Sequence, residues 1–206
     1  SELAKEYKID ADVVVPIPDS GVPAALGFSQ TSGIPFELGL IRNHYVGRTF
    51  IEPTQSIRQF GVKLKHSANV SYIKNKKVIL IDDSIVRGTT AKKIVKMVYD
   101  AGAKEVHLGV SCPPITHPDF YGIDTPNYDE LIASNKNIDE MSSIIGTKSL
   151  FFLSLDGTYR AMGCEERDSS SPQFTDHCFT GEYPTPLIDM EQGNVSKQYS
   201  LLTEKN

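Results

Sequence analysis

The stretch KKVILIDDSIVRGTTAKKIVKMV, residues 76–98, does most to limit the folds open to this chain. Its apolar run, residues 78–81, is continuous instead of alternating. A run of that kind is a strand buried on both faces. It ends in two adjacent carboxylates, Asp82 and Asp83, then passes Gly88 and two threonines. From Thr89 to Asp100 the pattern is helical, with Ile94, Val95 and Val98 on one side and Gly102 beyond the end. A strand covered above and below needs helices on both sides of its sheet, the arrangement of an α/β fold with a mainly parallel sheet.

The same alternation runs through much of the chain. SELAKEYKID reads as the end of an amphipathic helix, ADVVVPIP as a strand, and SGVPAALGFSQTSG as a turn and short helix closing near Gly33. FELGLI predicts a second strand, VKLKHSANVSYI a strand pair, and EVHLGVSCPP and SLFFLSL two more strands. Thr125-Pro126 predicts a helix start for NYDELIAS. Asn137 with Glu140 predicts a capping box for IDEMSSII, closed by Gly146. Residues 42–60 have no clean period and predict a long loop, a frequent form for functional lids. Past Cys164 the sequence becomes polar and serine-rich. The expected organisation is one α/β domain over residues 1–165 and an irregular extension over 166–206.

Composition excludes several function classes. The net charge is -5 over 206 residues, which argues against broad binding to nucleic acid or to an anionic membrane. Cys112, Cys164 and Cys178 are the only cysteines and form no CxxC pair, so no disulfide framework or structural zinc site is expected from spacing. No apolar run approaches the ~20 residues of a membrane span. A soluble, cytoplasmic protein is the expectation. The chain does not begin with Met, and a processed or truncated start is expected.

The acidic pair stands where ligands bind in such folds, at the junction of a strand's C-terminus with a helix N-terminus. Ser84, Thr89 and Thr90 supply hydroxyls, Gly88 allows a tight turn, and amides across residues 84–90 can converge on an anion at the positive end of the next helix. An amide and hydroxyl cradle suits a terminal phosphate, and nearby carboxylates suit a ribose diol. Together they read a ribose 5-phosphate. The spacing is not that of a Walker loop.

VILIDDSIVRGTT resembles the phosphoribosyl pyrophosphate (PRPP) loop of type I phosphoribosyltransferases. PIPDSGVPAALG, NHYVGRTFIEPTQSIRQFGVKLK, GAKEVHLGVSCPPITHPDFYGID and DELIAS, in that order, resemble the glutamine PRPP amidotransferase family, from about Leu3 to Pro186. The resemblance implies a type I phosphoribosyltransferase fold with a mainly parallel sheet flanked by helices. It implies that Asp82 and Asp83 serve the ribose hydroxyls and Mg²⁺, and that Ser84, Ile85, Val86, Arg87, Gly88, Thr89 and Thr90 hold the 5-phosphate. Asp19 and Ser20 would lie beside the pyrophosphate, with Ser20 a further metal position. Residues 42–65 would form a loop that closes over PRPP, with Tyr45, Arg48 and Lys65 acting in catalysis. That segment holds Arg42, Arg48, Arg58, Lys63 and Lys65 against the single acid Glu52, and a basic island suits closure over an anion.

The implied reaction, the first step of purine synthesis, is displacement of pyrophosphate from PRPP by ammonia to give 5-phosphoribosylamine. In the family, ammonia comes from glutamine through an N-terminal glutaminase domain opened by a cysteine. A chain starting at Ser1 is expected to lack that domain. One branch of the family carries an iron–sulfur cluster, but the matching positions here are Asp119, Pro172 and Thr175, so no cluster is expected. The loop motif usually has Arg where this chain has His44. His66, His107, His117 and His177 have no ligand-like spacing and are expected to be structural or solvated. Cys112 is expected in the core, and Cys178 as a plain thiol. A homo-oligomer and inhibition by purine nucleotides follow from the resemblance alone. Alternatives are a nucleobase phosphoribosyltransferase on the same fold and a PRPP-binding module without chemistry.

Overall fold

The computed structural model describes residues 1–43, 66–123, 125 and 127–187. The elements, in order, are α1 (Glu2–Glu6), β1 (Val13–Pro16), α2 (Val22–Ser32), β2 (Leu40–Arg42), β3 (His66–Ala68), α3 (Val70–Ile73), β4 (Lys77–Asp82) and α4 (Thr89–Asp100). They continue with β5 (Glu105–Val110), a 3₁₀ turn (Tyr128–Glu130), α5 (Ile132–Asn135), α6 (Ile138–Ile145), β6 (Ser149–Phe152), α7 (Leu155–Ala161) and α8 (His177–Thr180).

Among the described residues, the main sheet has four parallel strands in the order β1-β4-β5-β6. Its two faces explain the continuous apolar runs. Val13, Val15, Val78 and Leu80 point to one face, where Ile94, Val95 and Val98 of α4 and Met141 and Ile145 of α6 cover them. Val14, Ile79 and Ile81 point to the other, against Leu3 and Ala4 of α1 and Ala25 and Phe28 of α2. Residues 78–81 are wholly inaccessible to solvent, and each such side chain contributes about 1.5–3 kcal/mol of burial. No helix among the described residues is long and apolar enough to cross a membrane.

Local chemistry sets the helix ends. α4 covers the predicted residues, Thr89–Asp100. In α6 the Asn137 side chain accepts from the Glu140 amide, and Glu140 accepts from the Asn137 amide, at 2.9 and 3.0 Å; Gly146 closes the helix.

Several expectations are corrected. FELGLI is not one strand: Phe36 makes an isolated bridge to Val14, and only residues from Leu40 form β2, paired antiparallel with β3. The second half of VKLKHSANVSYI is α3, because the Asn69 side chain accepts from the Ser71 amide and starts a helical turn. Residues 128–135 form a 3₁₀ turn and the short α5 in place of one helix. α7 had no counterpart in the pattern reading; Ser154 caps it through the Gly157 amide. Past residue 165 the described part runs to residue 187, contains the short α8 and is fastened down. Arg167 pairs with Asp176 and Glu182, and the Tyr159 hydroxyl donates to Asp176 at 2.8 Å.

Asn137→Ala should lower the unfolding free energy by about 1 kcal/mol, with Asn137→Asp retaining most of it, as read by urea denaturation.

Candidate active site

Three parallel strands, β1, β4 and β5, end at the same edge of the sheet. After β1 the Ile17 amide donates to the Ile81 carbonyl at 2.8 Å, carrying the chain one residue further along β4. It then turns through Pro18, Asp19, Ser20 and Gly21. A Cβ on Gly21 would stand 2.3 Å from the Ile81 carbonyl oxygen, so only glycine lets this turn rest on the end of β4. A cis peptide bond joins Pro18 to Asp19. After β5 the Ser111 amide and hydroxyl both donate to the Asp82 carbonyl, at 2.9 and 3.1 Å.

The acids at the end of β4 have unequal surroundings. Asp82 is buried and accepts from the Asp83 amide at 3.0 Å; Asp83 is exposed and accepts from the Ser84 amide at 2.8 Å. Burial, and next the charge of Asp83, push the Asp82 carboxyl up to about 7. Such a pair is poised for a cation or for hydroxyl donors, either of which would relieve the repulsion.

The loop after the acids divides its work. Ile85 is buried in the core. The Val86 carbonyl accepts from the Ile132 amide at 3.0 Å, and Arg87 Nε donates to Glu130 at 2.5 Å. Gly88 takes φ +72° at the start of α4, and a Cβ there would meet Ile132 at 3.0 Å. No side chain among the described residues caps α4, so the first-turn amides at Thr89 and Thr90 remain available to an anion at the helix's positive end. The seven residues are therefore not equivalent: the Ser84 amide is spent on Asp83, and Ile85 and Arg87 turn their side chains to the protein.

Asp19 and Ser20 are exposed on the turn beside Asp82. Asp19 forms an ion pair with Arg42, the last residue of β2. Tyr45, Arg48 and Lys65, along with His44, lie outside the described residues. Cys112 packs against the main core cluster, as expected, though from beyond the strand. It sits two residues past β5, half-buried, and burial followed by the charges of Asp83 and Asp82 pushes its thiol up to about 12. Sequence reasoning missed Arg42 as the partner of Asp19, and missed Glu130 and Ile132 as supports of the loop. Each comes from a segment distant along the chain, and no spacing rule connects them.

The family model for the phosphoribosyl transferase domain matches residues 1–138. The chain belongs to that family. The chain is 61% identical over 201 residues to the amidophosphoribosyltransferase of Rhizobium etli, covering 97% of this chain and 40% of that protein. The amidophosphoribosyltransferase of Bacillus subtilis is 50% identical over 185 residues, covering 90% and 39%. A solved structure of glutamine PRPP amidotransferase from Bacillus subtilis, complexed with ADP and GMP, superposes with a TM-score of 0.79 at 50% identity, covering 90% of this chain and 40% of that one. The chain thus spans about two fifths of the length of these relatives, and its fold is that of their phosphoribosyltransferase portion.

Between the ordinary Asp value of 3.8 and about 7, folded Asp82 keeps a proton that the unfolded chain has released. Stability therefore falls as pH rises through that window. Asp82→Asn should remove this loss. Its stability relative to wild type should rise by about 1–3 kcal/mol from about pH 4 to about pH 8, measured by urea unfolding at both pH values.

Proposed function

We propose that this chain is the phosphoribosyltransferase portion of an amidophosphoribosyltransferase. It would displace pyrophosphate from C1 of PRPP with ammonia, giving 5-phosphoribosylamine, the opening step of purine synthesis. One observation carries the reading: the acid pair at the end of β4 lies between the Asp19–Ser20 turn and the uncapped N-terminus of α4. The names of the relatives at 50–61% identity support the same reaction.

In this reading the α4 amides and the hydroxyls of Thr89 and Thr90 hold the 5-phosphate. Asp83, exposed and close to the loop, accepts from the ribose hydroxyls, and Asp82 shares that task from its buried position. The Asp19–Ser20 turn faces the pyrophosphate. All the side-chain donors here are oxygens, a set that fits a hard cation such as Mg²⁺. When bound at Ser20, Asp82 and Asp83, Mg²⁺ would neutralise charge on the leaving pyrophosphate. No protein nucleophile is required. The chain's contribution is positioning of the sugar and stabilisation of charge as the C1–O bond stretches. Tyr45, Arg48 and Lys65 are proposed to act in catalysis, excluding water that would compete with ammonia.

The remaining assignments follow from the same reading. The cluster positions hold Asp119, Pro172 and Thr175, a donor set without thiolates, so no iron–sulfur cluster belongs there. Glutamine is used only through a glutaminase unit. A cytoplasmic homo-oligomer regulated by purine nucleotides completes the proposal; the solved Bacillus subtilis relative carries ADP and GMP.

Incubation with PRPP, Mg²⁺ and ammonium should release pyrophosphate without added nucleobase. Asp83→Asn should lower that rate about 10²-fold while leaving the circular dichroism spectrum unchanged. Release that demands a purine or pyrimidine base would favour a nucleobase transferase, and PRPP binding without release would reduce the chain to a binding module.

A further inference from the structure

A second group of chemically potent side chains lies away from the acid pair. Asp119 follows β5, while His177 and Cys178 open α8, and one ligand atom from each lies within 4.8 Å of the other two. The Asp119 carboxylate is firmly placed. Its Oδ1 accepts from the amides of Tyr121 and Ile123 at 2.8 and 2.9 Å, which leaves Oδ2 facing His177 Nε2 at 2.7 Å. The side chains of Asp119 and His177 are 3% and 7% exposed. His177 Nδ1 is buried with no hydrogen-bond partner among the described residues. The Cys178 thiol is free and half-buried, and its own carbonyl accepts from the amides of Thr116 and His117, which fixes the backbone that carries it. The rings of Tyr121 and Tyr183, centred 5.1 and 5.2 Å from the imidazole, wall the group.

We propose that Asp119, His177 and Cys178 form a binding site for a single divalent transition-metal ion of the zinc class. The donor set decides the class. Magnesium and calcium take oxygen ligands, whereas mixed imidazole, thiolate and carboxylate donors suit zinc or cobalt. Ligands held about 2.0–2.3 Å from a tetrahedral ion lie about 3–4 Å apart, so small side-chain rotations close the site. The charges also balance, since a carboxylate and a thiolate neutralise a divalent ion and the imidazole stays neutral. One nitrogen of the ring keeps its proton and the other offers its lone pair, so binding releases one proton, from Cys178 Sγ. The fourth position is left to water. The ion would clip the extension past residue 165 to the loop after β5. The proposal is independent of the PRPP reading, since no residue is shared with that site.

The test uses the purified chain stripped by chelator and titrated with Co²⁺. The expected result is a thiolate-to-cobalt charge-transfer band with tetrahedral d–d absorption, saturating at about one ion per chain and abolished by adding Zn²⁺. Zn²⁺ should also raise the Tm of the stripped protein. Cys178→Ala should lose the charge-transfer band, and His177→Gln should lose the d–d intensity, while the Cys112→Ala and Cys164→Ala spectra match wild type. Absence of these bands from wild type at stoichiometric Co²⁺ would overturn the proposal, as would a Cys178→Ala spectrum identical to wild type. The wild-type titration decides the question even where a variant fails to fold.

Discussion

Parallel register is the constraint on which the site depends. Val13 to Pro16 pair with Val78 to Ile81, and β4 pairs with β5 along its whole length through Asp82 and Val110. Strands locked side by side in one direction must release their chains at the same edge, so the turn after β1, the acid pair after β4 and Ser111 after β5 meet without long-range design. The apolar content of each strand makes the register costly to shift. Moving β4 by one residue would exchange its two buried faces and push the carboxylates into the core or away from the turn.

Much of this is legible in the sequence. The unbroken run at 78–81 announced double-sided burial, the spacing of Ile94, Val95 and Val98 gave α4 to the residue, and Asn137 with Glu140 gave α6 its start. The acid pair stands out because two like charges at the end of a buried strand cost free energy unless a partner offsets them. Failures came where a short local interaction overrode propensity. Tyr72 and Ile73 have strand-like side chains, yet the Asn69 side chain caps the preceding turn and commits them to a helix. In FELGLI, Gly39 lies against the Val15 side chain, where a Cβ would stand 2.9 Å away, and the chain leaves the main sheet after its single bridge at Phe36.

The supports of the site were not legible, for a different reason. Glu130 reaches Arg87 across 43 residues and Arg42 reaches Asp19 across 23. Periodicity carries no information at those separations. The polar segment past residue 165 misled in the same way. Its composition suggests an unpacked chain, but Asp176 and His177 are buried. A polar residue can be interior when its partners arrive from elsewhere, as Arg167 and Tyr159 do for Asp176.

The contact of Gly21 with the Ile81 carbonyl carries a mechanical consequence. With a hydrogen bond from Ile17 on one side and no space for a side chain on the other, the turn has no hinge relative to β4. The Ile17 amide, bonded to β4, and the Gly21 amide, bonded to the Ile17 carbonyl, tie the turn to the cooperative unit of the central strands. The part of the candidate site built by 17–21 and the part built by 82–83 are thus held together through β4 itself.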